Sequence, residues 1–381
     1  MIIDWQKIRD DFPVTRKFAY FLSAAMSPPP TPVFEAITEE YRRFMLNGDI
    51  HYFDDLKKCG RLYADLADLI HTKADNITFV QNTSTAMSFL ALSIKRHVRK
   101  PFYIVSLEDE FPASTIGFEH QGIEMRYVRP VDARYSVEEI LAMTNDKTLA
   151  VVASYVQYAT GFRLDLETLG KSLFERKIHF IVNATQGFPF YPLNVETMHI
   201  DALSASFHKW GLTGHIGAMF FTSGPFRRKF PSPVAGWLSV ASECGDSIPV
   251  LKNAPIRLHE SAQQYSLGTS NLQVLLAFQT ALNYMKAIGF ENIQKRIAEL
   301  ADYLIKGLNR SGIRVISPIA RPDERSAIVA FTLGGENGEC VDRLAEKDIY
   351  VSLRAGFIRV ALNFFNNEDD IDRLLDALRN R

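Results

Sequence analysis

Lys209 is the residue whose setting most suggests chemistry. It lies between His208 and Trp210, directly after the stretch 202–207, and the polar segment 183–186 precedes it. An amine on a flexible stem that is partly withdrawn from water has a lowered pKa and can condense with an aldehyde. With 43 Lys and Arg in the chain, the alternative is a solvated surface lysine. The neighbouring residues make Lys209 a candidate Schiff-base lysine, although taken alone the surface role is favoured.

Hydroxyl side chains form a candidate anion cradle. Thr83, Ser84 and Thr85 follow an apolar run and precede a helical pattern, and Ser206 and His208 offer further donors. Hydroxyls together with free backbone N–H groups at a helix start bind a phosphate well. The alternative is a simple N-terminal helix cap, which this piece taken alone favours.

Two further side chains suit an aromatic ring and a carboxylate. Phe111 could stack on a ring, although most of the 27 phenylalanines must belong to the core. Arg359 interrupts an apolar strand pattern, which is costly for a charge without a partner, and its guanidinium matches a carboxylate in two hydrogen bonds. Arg354 is a second candidate, for which a surface role is favoured.

The elements that must position these residues alternate between strand and helix. Short apolar runs that predict buried strands lie at residues 77–81, 102–106, 149–154, 179–182 and 218–222. Strands that alternate with helical patterns indicate βαβ units and a largely parallel sheet. Ligands bind beyond the carboxyl ends of such strands. Asn183, Gln186 and the segment 83–85 follow two of these runs, so we expect them at one edge.

The C-terminal part has a different pattern. A helical tract with weak breaks spans residues 272–308, followed by strand candidates at 314–317, 327–332 and 358–361. Asn367 is placed to cap a last helix with an apolar stripe. The proline-rich segment 27–32 predicts a stiff extended turn before a helix. The chain is therefore expected to be α/β, with a small α+β domain at its end.

Composition excludes several classes of protein. A formal net charge of -1 argues against nucleic acid or an anionic membrane as the main partner. No apolar run reaches the length of a membrane span, and the N-terminus has no signal-peptide pattern. The three cysteines, Cys59, Cys244 and Cys340, are too few and too far apart for disulfides or a metal site. A cytoplasmic protein without a metal is expected.

Several segments, taken in order, match one family. The chain resembles class V aminotransferase-like proteins of pyridoxal 5'-phosphate (PLP) fold type I. This group includes cysteine desulfurases, isopenicillin N epimerase-like proteins and kynureninase-like enzymes. The resemblance covers nearly the whole chain and rests on residues 20–25, 82–86, 110–114, 157–166, 183–186, 206–210, 267–271 and 358–372.

The resemblance implies an architecture. It comprises an N-terminal arm (residues 1–18) that packs with the small domain, a large PLP-binding domain (residues 19–284) and a small C-terminal α+β domain (residues 285–381). The large domain would have a mostly parallel sheet of the seven-stranded type, flanked by helices.

The resemblance also implies a role for each site residue. Lys209 would hold the cofactor and later move a proton, and Phe111 would stack on the ring. Gln186 would bind the ring hydroxyl, and Arg359 would bind the substrate carboxylate. Thr269 would reach the phosphate of a neighbouring subunit, which implies a homodimer with shared sites. The phosphate ligands would be Ser84, Thr85, Ser206 and His208.

Two residue positions depart from the family pattern. Asn183 stands where the family usually has an aspartate, and a neutral amide does not supply the charge that keeps the pyridine nitrogen protonated. The desulfurases also need a mobile cysteine, yet residues 350–358 contain none, and Cys340 lies about twenty residues before Arg359 in a segment expected to be a turn. Sulfur transfer through a persulfide on the enzyme is therefore disfavoured.

These observations predict a PLP-dependent transferase that acts on an amino acid or small amine, with aminotransferase or epimerase-like activity. The alternatives are a lyase or cysteine desulfurase-like activity and a non-catalytic protein that keeps the fold. Asn183 is the best support for the non-catalytic alternative, whereas Lys209, Gln186, Ser206 and Arg359 speak against it. A nucleotide-dependent α/β enzyme would need a glycine-rich fingerprint that the chain lacks.

Overall fold

The computed structural model describes residues 3–241 and 255–379. The strands are β1 (Ala19–Tyr20), β2 (Ile77–Val80), β3 (Tyr103–Leu107), β4 (Glu124–Val128), β5 (Thr148–Ser154), β6 (His179–Asn183), β7 (Ala202–Ser206), β8 (Ala218–Thr222), β9 (Arg314–Val315), β10 (Ile328–Thr332), β11 (Ile349–Tyr350), β12 (Ser352–Arg354) and β13 (Phe357–Ala361). The helices are α1 (Trp5–Asp10), α2 (Thr31–Asn47), α3 (Tyr52–Leu69), α4 (Thr83–His97), α5 (Ile116–His120), α6 (Val137–Ala142), α7 (Leu166–Glu175), α8 (Phe207–Trp210), α9 (Gly224–Lys229), α10 (Leu272–Ile288), α11 (Phe290–Arg310), α12 (Asn337–Glu346) and α13 (Glu368–Arg379).

A central sheet has the strand order β2-β8-β7-β6-β5-β3-β4. The pairs among β7, β6, β5, β3 and β4 are parallel, and β8 runs antiparallel to both of its neighbours. The helices α5, α6 and α7 lie in the connections from β3 to β4, β4 to β5 and β5 to β6, whereas residues 184–201, between β6 and β7, form no helix. The predicted α/β fold with a mostly parallel seven-stranded sheet is confirmed.

The sheet is buried on both faces because its strands alternate between two cores. Val151 and Ala153 of β5 join one apolar cluster, whereas Ala150 and Val152 join a cluster on the opposite face. Strands covered by helices on both faces have continuous apolar sequences, which is why these runs stand out in the chain.

A smaller sheet has the strand order β12-β13-β10-β9 and is antiparallel. It packs with one end of α11 and with α13 around a separate apolar cluster. Arg9 on α1 forms an ion pair with Asp370 on α13, 2.8 Å between Nη1 and Oδ2, and β1 pairs in parallel with β11. The proposed domain boundaries stay predictions.

Local differences from the expected elements have clear causes. The helical tract expected at 272–308 is two helices, because Gly289 between them has φ +91° and ends α10. The strands β1, β4, β11 and β12 were not expected, since β4 is only partly buried and the other three have two or three residues each. The turn expected around Cys340 is wrong: this cysteine is buried on α12.

Other local predictions agree with the structure. Asn367 caps the last helix, with its Oδ1 accepting from the Asp370 N–H at 3.0 Å. In the segment 27–32, Pro30 is extended and α2 begins at the next residue, Thr31, so the predicted turn leads into a helix one residue earlier than its end. Within the described ranges, no helix has the length and apolar character that crossing a membrane requires.

Candidate active site

A cavity of about 840 Å³ opens where β5, β6 and β7 end and α4 begins. Ser154, Asn183 and Ser206, the last residues of these strands, lie on its wall. The sheet order therefore brings separate loops to one edge, as predicted. The cavity brings together all the predicted site residues except Arg359: Ser84, Thr85, Phe111, Asn183, Gln186, Ser206, His208, Lys209 and Thr269.

Lys209 lies on the single-turn helix α8, directly after β7. Its Nζ is 5.1 Å from the centroid of the Phe111 ring. Burial, and then the positive charges of Arg359 and Arg354, lower the pKa of Lys209 to about 7. A large fraction of this amine is therefore neutral and nucleophilic at neutral pH.

The start of α4 has a cap of its own. The Oδ1 of Asn82 accepts from the Thr85 N–H at 2.9 Å and from the Thr85 hydroxyl at 3.1 Å. The expected anion cradle therefore contains a cap, but the capping residue is Asn82. Ser84, the second residue of the helix, is exposed on the cavity side.

A buried network of hydroxyls supports this wall of the cavity. The Thr83 hydroxyl is 2.9 Å from that of Ser206 and 3.1 Å from that of Thr185, and it accepts a hydrogen bond from Ser204 at 3.1 Å. Sequence reasoning missed Thr185 and Ser204 in this role. The alternating Ser204 and Ser206 at the end of an otherwise apolar strand were the available signal.

The amides of Asn183 and Gln186 are both held by the protein. Asn183 Nδ2 donates to the Ser114 hydroxyl at 3.0 Å, and its Oδ1 accepts from the Thr185 N–H at 3.1 Å. Gln186 Nε2 donates to the Ala24 carbonyl at 3.0 Å, and its Oε1 accepts from the Trp210 indole at 2.9 Å. The backbone partners fix which end of each amide is oxygen.

A buried carboxylate supports the loop that carries Phe111. Glu110 accepts hydrogen bonds from the Ser154 N–H at 2.6 Å, from the Ser154 hydroxyl and from Gln157 Nε2 at 3.1 Å. Burial raises the pKa of Glu110, and these hydrogen bonds oppose the rise. Nothing in its spacing distinguished Glu110 from a surface glutamate.

Arg359 lies behind the cavity wall on β13 and is only 2% exposed. Its Nη1 donates to the main-chain oxygen of Tyr158 at 2.6 Å, and its Nε donates to the Ser352 hydroxyl at 3.0 Å. Burial and the charge of Arg354 lower the pKa of Arg359 to about 10. In residues 3–241 and 255–379, it makes no ion pair, so the guanidinium is a buried cation bonded only to neutral groups.

The cavity favours anions. None of its lining residues within the described part of the chain is an aspartate or a glutamate. Burial, then the charge of Lys209 and that of His215, lower the pKa of His208 to about 4, so this imidazole is neutral at pH 7. His215, whose ring centroid is 4.9 Å from that of His208, was not predicted from the sequence.

The family model for "Aminotransferase class-V" matches residues 19–374. The chain belongs to this family.

Relatives of this class-V chain include a probable cysteine desulfurase of Pyrococcus abyssi, which is 26% identical over 339 residues, 86% of this chain and 82% of the relative. The apo cysteine desulfurase of Thermococcus onnurineus has a TM-score of 0.90 at 20% identity and covers 100% of this chain and 98% of its own. The cystine C-S lyase C-DES, solved with its product cysteine persulfide, has a TM-score of 0.85 at 21% identity, covering 97% and 99%. Another C-DES structure contains glycine covalently linked to its PLP cofactor.

The family match confirms the resemblance inferred from the sequence, and PLP is the family cofactor that was predicted. A PLP-dependent enzyme of class V is likewise confirmed. The names of the relatives agree with the alternative prediction, a lyase or desulfurase-like activity, better than with an aminotransferase or epimerase.

Proposed function

We propose that the chain holds PLP on Lys209 and cleaves the β-carbon–sulfur bond of an amino acid, as a C–S lyase. The observation that carries this proposal is the Lys209 amine itself, whose pKa is lowered to about 7. The amine lies against an aromatic ring, and the described residues that line the cavity include no carboxylate. The desulfurase and lyase names of the relatives support the reaction class.

The donor set fits the chemistry of PLP. Ser84, Thr85 and Ser206 provide hydroxyls beside the start of α4, where the helix dipole favours a phosphate. Phe111, whose side chain is 40% exposed, offers a ring face, and Asn183 offers an amide to the pyridine nitrogen. We propose that Gln186 binds the ring hydroxyl, that His208 contributes to the phosphate site, and that Thr269, on the cavity rim, reaches a neighbouring subunit.

PLP, when bound, withdraws electrons from the substrate carbon that carries the amino group. The Lys209 amine, neutral at a pH near 7, can accept the proton from that carbon and return it later. Arg359 is a buried cation that forms no ion pair with any carboxylate of the described residues. It would orient the substrate α-carboxylate. The Phe111 ring, whose centroid lies 5.1 Å from Lys209 Nζ, would cover one side of the amine.

The positions of the described cysteines favour a lyase over a desulfurase that stores sulfur on its own cysteine. Cys59 and Cys340 are buried, and neither lines the cavity. Burial, with Asp55 and Glu40, raises the pKa of Cys59 to about 12, so its thiolate is scarce. Cys244 lies outside the described residues. A lyase needs no enzyme thiol, because the C–S bond breaks with its electron pair leaving on the substrate sulfur.

Asn183 favours a second candidate, the aminotransferase or epimerase-like activity. A neutral amide leaves the pyridine ring a weaker electron sink than an aspartate would. A reaction that depends less on that sink, such as epimerisation, would then tolerate the amide better than an elimination.

Product analysis separates the candidates. The PLP-loaded protein would be incubated with L-cysteine and L-cystine, with Lys209→Ala as the control. A lyase releases pyruvate and ammonia together with sulfide or persulfide, whereas a desulfurase leaves alanine. An oxo acid without sulfur release indicates an aminotransferase, and a D-amino acid indicates an epimerase. If borohydride reduction leaves no PLP on Lys209, the proposal is wrong.

A further inference from the structure

Arg354 lies on the same face of the small sheet as Arg359. In the β12–β13 register, Ser352 faces Arg359 and Arg354 faces Phe357. Because residues at i and i+2 of a strand share a face, Arg354 is on the side of Ser352 and Arg359, about 7 Å further along the strand. This is the side on which Arg359 reaches the main-chain oxygen of Tyr158, a residue of the cavity wall.

The turn that follows Arg354 holds it in place. Ala355 and Gly356 have φ values of +49° and +79°, as a two-residue primed hairpin turn requires. The Gly356 carbonyl accepts from Asn337 Nδ2, at the start of α12, at 2.7 Å. The hairpin therefore fixes the backbone from which the exposed Arg354 side chain extends.

The charges around Arg354 are unbalanced. The positive charge of Arg354 contributes to the lowered pKa of both Lys209 and Arg359, so the three cations are close enough to repel one another. Arg354 donates to its neighbouring Leu353 carbonyl at 2.7 Å and has no carboxylate partner within the part of the chain that the structure describes. Like charges gathered without a counter-ion are costly unless an anion joins them.

The cofactor phosphate would not neutralise the charge of Arg354. Its proposed donors, Ser84, Thr85 and Ser206, lie on α4 and β7 of the large sheet, whereas Arg354 and Arg359 lie on the hairpin of the small sheet. One substrate carboxylate would be bound by Arg359 alone. The charge of Arg354 remains for a second anionic group.

We infer that Arg354 determines substrate specificity by binding an anionic group on the substrate side chain. The substrate is then a sulfur-containing amino acid with two acidic groups: the α-carboxylate, bound by Arg359, and a second anion such as a carboxylate or sulfinate, bound by Arg354. This inference rests on the proposed function and deepens it.

Paired amino acids that differ only in charge test this inference. PLP-loaded protein would be titrated with L-aspartate and L-asparagine, and with L-glutamate and L-glutamine, while the cofactor absorbance reports binding. We expect at least one acid to bind about tenfold more tightly than its amide. Arg354→Leu should weaken the binding of that acid about tenfold and the binding of its amide less than twofold. Arg354→Lys should restore part of the lost affinity because it keeps the charge.

The control is Arg314→Leu, which removes an exposed arginine from β9 of the same sheet and should leave both affinities unchanged. Equal binding of acid and amide by the wild-type protein would overturn the inference. Equal losses of affinity for the acid and for its amide in Arg354→Leu would also overturn it. A change in the oligomeric mass of that variant would do the same. A borohydride adduct on Lys209 in these samples shows that the proposed cofactor site survives even when the substrate inference fails.

Discussion

Asn183 is firmly held by hydrogen bonds but carries no charge. Its amide is only 5% exposed, and both of its ends are bonded, to Ser114 and to Thr185. The side chain is therefore positioned as firmly as a carboxylate would be. What it lacks is the negative charge that stabilises a protonated pyridine ring.

Asn183→Asp should raise turnover about tenfold, because the carboxylate would stabilise the protonated pyridine ring in the reacting state. Tenfold corresponds to a shift of roughly one unit in the pKa of that ring. The substitution is nearly isosteric: the Thr185 N–H keeps its acceptor, and the Ser114 hydroxyl can turn to donate. Steady-state rates and the absorption spectrum of bound PLP measure the effect.

Asn194→Asp is the matched control, since the Asn194 side-chain oxygen accepts from the N–H groups of Glu196 and Thr197 and the residue does not line the cavity. An unchanged rate and an unchanged spectrum in Asn183→Asp would show that the amide does not limit the electron sink.

Lys209 makes cofactor binding depend on pH. Because its pKa is lowered to about 7, the neutral amine increases as pH rises through that value. The rate at which PLP condenses with the cofactor-free protein should therefore rise from pH 6 and level off about one unit above the pKa. Stopped-flow absorbance at a series of pH values measures this rate.

Lys209→Ala should show no covalent phase at any pH. A rate for the wild-type protein that continues to rise up to pH 10 would instead indicate an amine with the ordinary pKa of a solvated lysine.

At the scale of elements, one turn connects the central sheet with the small sheet. Its Gly161 has φ +74°, and its carbonyl accepts from the Ser326 hydroxyl at 2.7 Å. A Cβ at this position would lie 2.2 Å from the Ile328 carbonyl oxygen. The same turn carries Tyr158, whose main-chain oxygen holds Arg359. Close backbone contact therefore positions the arginine.

Gly161→Ala should lower the free energy of unfolding by about 3 kcal/mol, from backbone strain and the clash with β10. Urea denaturation measures the loss. Gly122→Ala is the matched control: its φ is +64°, but a Cβ there would meet nothing within 4 Å, so only the strain of about 1 kcal/mol is expected. Similar losses in both variants would mean that the contact with Ile328 is unimportant.

At the scale of the whole molecule, the first described helix contacts the last one. Arg9 on α1 binds Asp370 on α13 through two hydrogen bonds of 2.8 Å, and Asp370 is 1% exposed. The N-terminal helix is thus joined to the C-terminal helix by a charge pair that is almost completely buried. Removing one partner leaves the other as an uncompensated buried charge.

Asp370→Ala should therefore lower the free energy of unfolding by about 3 kcal/mol. Glu368→Ala, on the same helix, removes a carboxylate that pairs with Arg296 but is 49% exposed, so the expected loss is below about 1 kcal/mol. Urea denaturation of both variants measures the difference. Equal losses would show that burial does not decide the strength of the Arg9 pair.

The homodimer and the cytoplasmic location stay predictions at this scale. Light scattering of the purified protein would test the first, and fractionation of cells would test the second. Thr269, on the cavity rim, gains its proposed role only if a second copy is present.

The sequence by itself determined where the buried strands lie and which residues follow them. Strands covered on both faces must be continuous apolar runs, so their ends stand out, and Asn183, Ser206 and Lys209 are placed by counting from those ends. The cap at Asn367 and the break at Gly289 are likewise local, although sequence reasoning used only the first of them. Such features depend on neighbours along the chain.

The tertiary structure alone decided which of these residues meet. The hydrogen bond from Arg359 to Tyr158 joins residues 201 apart, and the one between Thr83 and Ser206 joins residues 123 apart. Both depend on the order and register of strands, which arise from packing of the whole core and are invisible in local spacing. The effect of the Arg354 and Arg359 charges on Lys209, and the lowered pKa that results, arise only once that packing brings the two sheets together.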